Sequence, residues 1–308
     1  MSDEKLVKPG LSTENIFEKF DVPFQSPVKP QQLTHESRIH FRCYKGIECF
    51  NACCSNIDIT LTPYDILRLA RRLNLSTWQL MLKYTMPYEM DAHSMPGVKM
   101  MPVEGGTACQ FMTEEGCSVY EDRPTACRYY PLGTMGMRRK DEGQMEDVYF
   151  VVQEDHCKGH FEDRELTVAD YRKEQGVEVY DDLNREWLDI IVKKRSAGPT
   201  VGAPSGRSMQ LFSMSYDLDA FRMFTQSDSF INMFDLDADT RKALDEDDEA
   251  LLKFCMRFLK QVLFGEMSIP LKQGAAKRRY EERKDIIKKK HEENIEKHKL
   301  RDPRDEAE

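Results

Sequence analysis

No stretch of this 308-residue chain approaches the roughly 18 to 20 consecutive apolar residues that a membrane-spanning helix needs. A surplus of positive charge is missing too. The formal net charge is -9, which argues against general affinity for nucleic acid, where clustered Lys and Arg meet phosphate. Several catalytic signatures are absent. There is no G-x-S-x-G elbow, no phosphate loop, and no G-x-G-x-x-G placed after a strand. Ser, Asp and His occur without a spacing that singles out a triad, and no internal repeat is visible. The opening MSDEKLVKPGLSTENIFEKF has acidic residues and no apolar run of the secretory kind, so a cytoplasmic location is expected. Beyond residue 157 the chain is nearly free of cysteine, holding only Cys255.

Residues 43–157 are the opposite. Cys43, Cys49, Cys53 and Cys54 lie in CYKGIECFNACC, spaced C-x5-C-x3-C-C. Cys109, Cys117 and Cys127 follow in CQFMTEEGCSVYEDRPTACRYYP, and Cys157 in EDHCKGH. Buried free cysteine normally appears singly, as a small hydrophobe, so this density points to chemistry. In a reducing compartment it points to metal binding or redox catalysis before a disulfide framework. Thiolates suit zinc and iron-sulfur clusters, and either centre usually takes four ligands, so eight cysteines can serve one centre or two. The spacing matches neither a zinc ribbon nor a bacterial ferredoxin.

In extended backbone the side chains of adjacent Cys53 and Cys54 would point to opposite faces. Sharing one metal would then need an unusual local turn. The simpler reading sends one to a metal and the other to a second centre, a redox role or the core. Cys255, on the apolar face of an amphipathic run, reads as core. His35, His40, His156 and His160 flank the cysteines as surface or core histidines, with His156 the best placed to substitute for a thiolate. Arg123 and Arg128 flank Cys127, where a guanidinium would offset thiolate charge or enter ordinary salt bridges.

Periodicity and caps outline an α+β, mainly helical fold: a metal-stapled, cysteine-rich N-terminal domain with short strands, a helical region, and an exposed charged C-terminal helix. Residues 1–38, with Pro9, Pro23, Pro27 and Pro30, read as an extended or partly disordered arm. Residues 39–195 form the cysteine-cluster domain, 196–208 a linker, 209–270 a helical region and 271–308 a charged helical tail. Within the domain, IDITL alternates like a strand, and Thr62-Pro63 opens a helix ending near Asn74. Ser76 or Thr77 caps another helix, and residues 87–108, broken by Pro and Gly, read as loops or short strands. VYFVV is the clearest strand, Thr167 starts a helix stopped by Gly176, and a long helix packs through Trp187. The acidic cluster Asp245–Glu249 reads as the start of a helix. From Lys272 to Glu308 there are 13 Lys and Arg against 10 Asp and Glu, a net of +3, which suits a solvated helix and a surface for a protein partner.

The CC pair, the Pro-initiated helix, the C-x7-C and the segment VYEDRPTACRYYPLG together resemble the YkgJ-type cysteine cluster family over roughly Phe41 to Gly133. The resemblance implies a zinc- or iron-chelating centre, with Cys43, Cys49, Cys53, Cys54, Cys109, Cys117, Cys127 and Cys157 as the candidate ligands. The C-x5-C gap is wider than in the shorter members. Flagellin lysine N-methylases carry a related cluster, an enzymatic precedent in that direction. The expected function is therefore metal binding through an iron-sulfur cluster or zinc. Against it stand a metal-dependent enzyme, either a protein lysine methyltransferase or a thiol oxidoreductase, and a scaffold with a purely structural metal.

Overall fold

The structure, a computed structural model, describes residues 28–29, 31–90, 95–138, 145–196 and 206–299. Most of the expected arm, most of the expected linker and the end of the charged tail lie outside the described residues. In chain order the elements are β1 (Arg38–His40), β2 (Thr60–Leu61), α1 (Pro63–Leu73), α2 (Thr77–Tyr84), β3 (Thr85–Glu89), β4 (Pro96–Met100), β5 (Met112–Thr113) and β6 (Gly116–Cys117). There follow α3 (Thr125–Tyr129), β7 (Leu132–Arg138), β8 (Met145–Val151), β9 (Glu165–Thr167), α4 (Val168–Gln175) and α5 (Glu178–Ser196). The remainder is helical: α6 (Gly206–Ser213), α7 (Leu218–Thr225), α8 (Asp228–Ile231), α9 (Ala238–Glu246), α10 (Asp248–Phe264) and α11 (Ala275–Lys299). The fold is α+β and mainly helical. No helix among the described residues is long and apolar enough to cross a membrane.

The chain divides into two compact units, residues 1–59 with 101–179, and residues 60–100 with 180–308. All eight clustered cysteines belong to the first unit. Its frame is made of antiparallel pairs: β1 with β9, in which Ile39 faces Leu166, and β7 with β8, running from Leu132 opposite Val151 to Arg138 opposite Met145. Leu33, within the segment expected as an arm, is buried and donates its N–H to the Tyr149 carbonyl at 2.8 Å. Around it pack Ile39, Phe41, Tyr129, Tyr149, Leu166 and Tyr171, a core that also encloses Cys157. Helix α4 starts where the Thr167 hydroxyl accepts from Asp170 N and stops at Gly176, whose φ of 61° is left-handed.

The second unit contains the sheet β2-β4-β3 and the remaining helices. Helix α1 begins with a reciprocal cap: Thr62 Oγ1 accepts from Asp65 N at 3.1 Å, and Asp65 Oδ2 accepts from Thr62 N at 2.9 Å. Asn74 ends it at φ 53°. In the expected strand IDITL, only Thr60 and Leu61 pair, opposite Lys99 and Val98. Between residues 87 and 108, the Pro-containing segments form the hairpin β3–β4. Pro87 is tolerated because β3 is an edge strand, and Gly97 because a Cβ there would lie 2.5 Å from the Tyr88 ring. Asp247 caps α10, accepting from Glu249 N and Ala250 N, and Arg71 and Arg222 pair with Asp248 in the first turn. Asp247–Glu249 thus start a helix as expected, whereas Asp245 and Glu246 of the same acidic cluster end α9. Cys255 is fully buried on α10, the helix that also carries Phe254 and Phe258, whose rings pack on Phe221.

Candidate metal centre

Three stretches of the first unit carry the cysteines. The first is anchored at its base by Phe41 N donating to Arg164 O at 3.0 Å and Arg42 N to Gly159 O at 3.1 Å. This approach needs a glycine: a Cβ on Gly159 would lie 2.7 Å from the Phe41 ring and 2.9 Å from the Arg42 carbonyl. It brings Cys43 beside the Cys157 stretch. Lys158 N then donates to Cys49 Sγ at 3.1 Å, tying the second cysteine to the same stretch.

Beyond Cys49 the chain runs through tight turns rather than extended backbone. Ala52 N bonds to Cys49 O at 3.0 Å and Cys54 N to Asn51 O at 2.9 Å. Asn51 adopts φ 66°, a left-handed conformation that Asn tolerates better than most residues, and its side-chain amide donates to Thr113 O at 2.8 Å. Ala52–Cys54 is consequently a 3-10 turn, and the Cys53 and Cys54 sulfurs lie 3.9 Å apart. The opposite-face geometry expected for an extended pair does not hold here. With metal–sulfur bonds of about 2.3 Å, the edge of a tetrahedral site measures ~3.8 Å, so the pair is spaced as two ligands of one metal would be.

The second stretch docks on the first. Cys109 N donates to Cys54 O at 2.8 Å, Ile57 N to Thr107 O at 2.9 Å, and Thr107 Oγ1 to Ser55 O at 2.9 Å. Phe111 N donates to Cys109 Sγ at 3.4 Å. The hairpin β5–β6 then places Cys117 opposite Met112, turning at Gly116 with φ 113°. Cys127 sits on α3. The helix is fixed by its neighbour Arg128, which is buried and donates to the carbonyls of Arg123 at 3.1 Å, Gln175 at 2.7 Å and Glu121.

The arginines therefore divide the role expected of them. Arg128 binds backbone carbonyls, whereas Arg123 lowers the pKa of Cys117 against the rise that burial imposes. Arg123 also donates to Tyr120 O and to Gln175. The flanking histidines have partners of their own. His35 Nε2 meets the Tyr149 hydroxyl at 3.1 Å, His40 lies 3.9 Å from Glu165, His156 lies 3.5 Å from Glu154, and His160 Nε2 meets Val152 O at 3.1 Å.

The sulfurs feel one another's charge. Desolvation, then Cys53, Cys49 and Cys157, push the Cys43 thiol up to about 11, although part of the residue reaches solvent. Burial also raises Cys109 and Cys117, opposed at Cys109 by the N–H groups of Phe111 and Met112 and at Cys117 by that of Val119. Cys53 and Cys54 act on each other: a hydrogen bond from Cys54 and a backbone N–H bring Cys53 down to about 7 against burial, while the same contact, burial, and the charges of Cys53, Cys109 and Cys127 raise Cys54. Among the described residues, no three His, Cys, Asp or Glu side chains are arranged to hold a metal ion. The thiols are gathered, with one pair at ligand spacing, but not closed into a coordination shell.

This donor set fits a soft cation. Thiolates that repel one another, and so raise one another's pKa, have that repulsion offset when a cation displaces their protons, and N–H groups aimed at sulfur favour the thiolate. Composition alone pointed to the cysteines. The partners that set their geometry, Asn51, Gly159 and the Lys158 N–H, were missed, although the Asn of FNACC and the Gly of CKGH lie beside them.

Residues 42–158 match the model of the CxxCxxCC family, described as a "putative zinc- or iron-chelating domain". The match supports the cysteine-cluster family that the motifs resemble, and it contains all eight clustered cysteines. No curated protein and no solved structure matches the chain.

Proposed function

We propose that the protein binds zinc or iron through thiolates of the first unit, with Cys43, Cys49, Cys53, Cys54, Cys109, Cys117, Cys127 and Cys157 as the donors. The observation carrying this reading is the convergence of three sequence-distant stretches by hydrogen bonds that start or end at the cysteines themselves: Cys109 N to Cys54 O and Lys158 N to Cys49 Sγ. A bound metal or iron-sulfur cluster would supply positive charge and cross-link the stretches. The chain's part is to hold the sulfurs near one another and to favour their thiolate forms through N–H donors. Such free thiols suit a reducing compartment, hence the cytoplasm.

Elemental analysis with optical and paramagnetic spectroscopy on anaerobically purified protein tests the reading. Stoichiometric zinc in a colourless protein, or iron and sulfide with broad visible absorbance, is the expected result. Metal-free protein with its cysteines joined as disulfides would sink it.

A second reading, thiol redox catalysis, is favoured by the exposure of Cys53 and the lowering of its pKa to about 7. It requires that Cys54→Ser abolish a cysteine-dependent activity while metal content and fold persist.

A further inference from the structure

We infer that Cys53 and Cys54 together are the capture site of the centre: this adjacent pair makes the first bonds to an incoming zinc or ferrous ion, and the buried cysteines complete the coordination afterwards. The inference rests on the metal-binding reading above and adds the order in which its donors engage.

Spacing is the first ground. The two sulfurs lie 3.9 Å apart, against the ~3.8 Å edge of a tetrahedral thiolate site, so both can bind one cation with little movement of the chain. Groups other than the sulfurs set that spacing. Asn51 holds φ 66° while its amide donates to Thr113 O at 2.8 Å, and Cys54 N and Ser55 N close the turn on Asn51 O at 2.9 Å and Ala52 O at 3.1 Å. Once one sulfur is engaged, the other is already within reach, and a bond made within one molecule forms faster than one that must find its partner.

Access is the second ground. Cys53 is exposed and Cys54 half-buried, whereas Cys109 and Cys157 are buried. Stripping water from a cation is costly unless other donors replace it, so an exposed sulfur is met before a buried one. Each bond displaces a water from the cation and, from a thiol, a proton to solvent. Among the described residues no three His, Cys, Asp or Glu side chains are arranged to hold a metal ion, so further donors must move in after the first two.

Stopped-flow mixing of the reduced, metal-stripped full-length chain with Co(II) tests the order, because thiolate-to-cobalt absorbance reports bonds as they form and its concentration-dependent phase reports capture. Cys53→Ser and Cys54→Ser should each slow that phase by about tenfold or more. Cys109→Ser and Cys157→Ser should leave its rate unchanged and lower only the final absorbance. Asn51→Ala retains every clustered thiol and should slow capture while reaching the parental spectrum, with Asn51→Gly, which keeps the left-handed backbone, between the two. Protection of the Leu33 and Phe41 amides identifies the variants that are folded. Equal slowing by Cys109→Ser or Cys157→Ser overturns the order, as does parental capture by Asn51→Ala. Slowing by Cys43→Ser, the other exposed thiol, with Cys54→Ser at the parental rate overturns it too. If the parent chain holds no zinc or iron when isolated and develops no thiolate bands with Co(II), the metal-binding reading itself fails.

Discussion

Arg128 gives the sharpest test of how the fold holds one of the cysteines. Its guanidinium is buried, and three of its N–H groups meet carbonyls from three places: Glu121 in a 3-10 turn, Arg123, and Gln175 at the C-terminal end of α4. A cation there also sits at the negative end of the helix dipole. Arg128→Met keeps the apolar stem and removes the donors. Each carbonyl left buried and unpaired costs about 1–3 kcal/mol. Glu121 is exposed, so water can recover its carbonyl, whereas Arg123 is buried and Gln175 half-buried, so the cost falls on those two. The expected loss is about 3–4 kcal/mol, confined first to the packing of α3 on α4. At about 1.4 kcal/mol per factor of ten, that is a roughly 100- to 700-fold rise in amide exchange. The reporting amides are Arg128 and Tyr130 of the α3 segment and Gly176 and Val177 after α4, all hydrogen-bonded in the parent. Arg128→Lys, with one compact ammonium in place of the fork, should restore less than half of the protection. If Arg128→Met exchanges within about fivefold of the parent, which is about 1 kcal/mol, the clamp does not hold α3 as described.

Thr62→Ala removes the reciprocal cap on α1 and should destabilise the second unit by about 1 kcal/mol, read as a lower thermal midpoint by circular dichroism. The pH dependence should differ with metal. In the stripped protein Cys43, Cys109 and Cys117 have raised pKa values, so the stability they contribute is complete below the unfolded thiol value of 9.0 and is lost as pH rises through the folded values, about 11 for Cys43. Cys53 runs the other way, losing its contribution as pH falls through about 7. In the loaded protein the folded thiolates carry no protons while the unfolded thiols do, so stability should rise with pH towards 9, and urea midpoints at several pH values would show whether it does. Metal removal should loosen the site more than the unit. The amides of Cys109, Ile57 and Lys158 should lose exchange protection, and those of Leu33 and Phe41, set in the core, should keep it. Equal loss at all five would mean that the metal holds the whole unit.

What could be read in advance was what is decided locally. Helix α1 shows its start in Thr62, Pro63 and Asp65 and its end in Asn74, because capping involves residues three or four apart. The same holds for Thr167 and Gly176 around α4. The hairpin β3–β4 was hidden by its own residues: Pro87, Pro96 and Gly97 signal breaks, and only the edge position of β3 and the close approach of Tyr88 make them acceptable. The pairing of β1 with β9 joins Arg38 to Thr167, far apart in the chain, and three-residue strands carry no periodic signal. The arm could not foretell that Leu33 would be buried against Tyr149, since that burial depends on a partner strand more than a hundred residues away.

At the site, residue type was legible and backbone conformation was not. The density of cysteine identified the donors, but the expectation for Cys53 and Cys54 assumed an extended chain, in which successive side chains diverge. One residue reverses it. With Asn51 in the left-handed region and its amide held by Thr113 O, the next three residues wind into a 3-10 turn and both sulfurs fall on one side at 3.9 Å. The same turn aims the Cys54 carbonyl at Cys109 N, so the bond that recruits the second stretch and the spacing of the pair have a common cause. Thiolate geometry here follows from backbone geometry two residues upstream of the first sulfur. For that reason Asn51, which carries no metal-binding chemistry of its own, belongs to the site as much as the cysteines it orients.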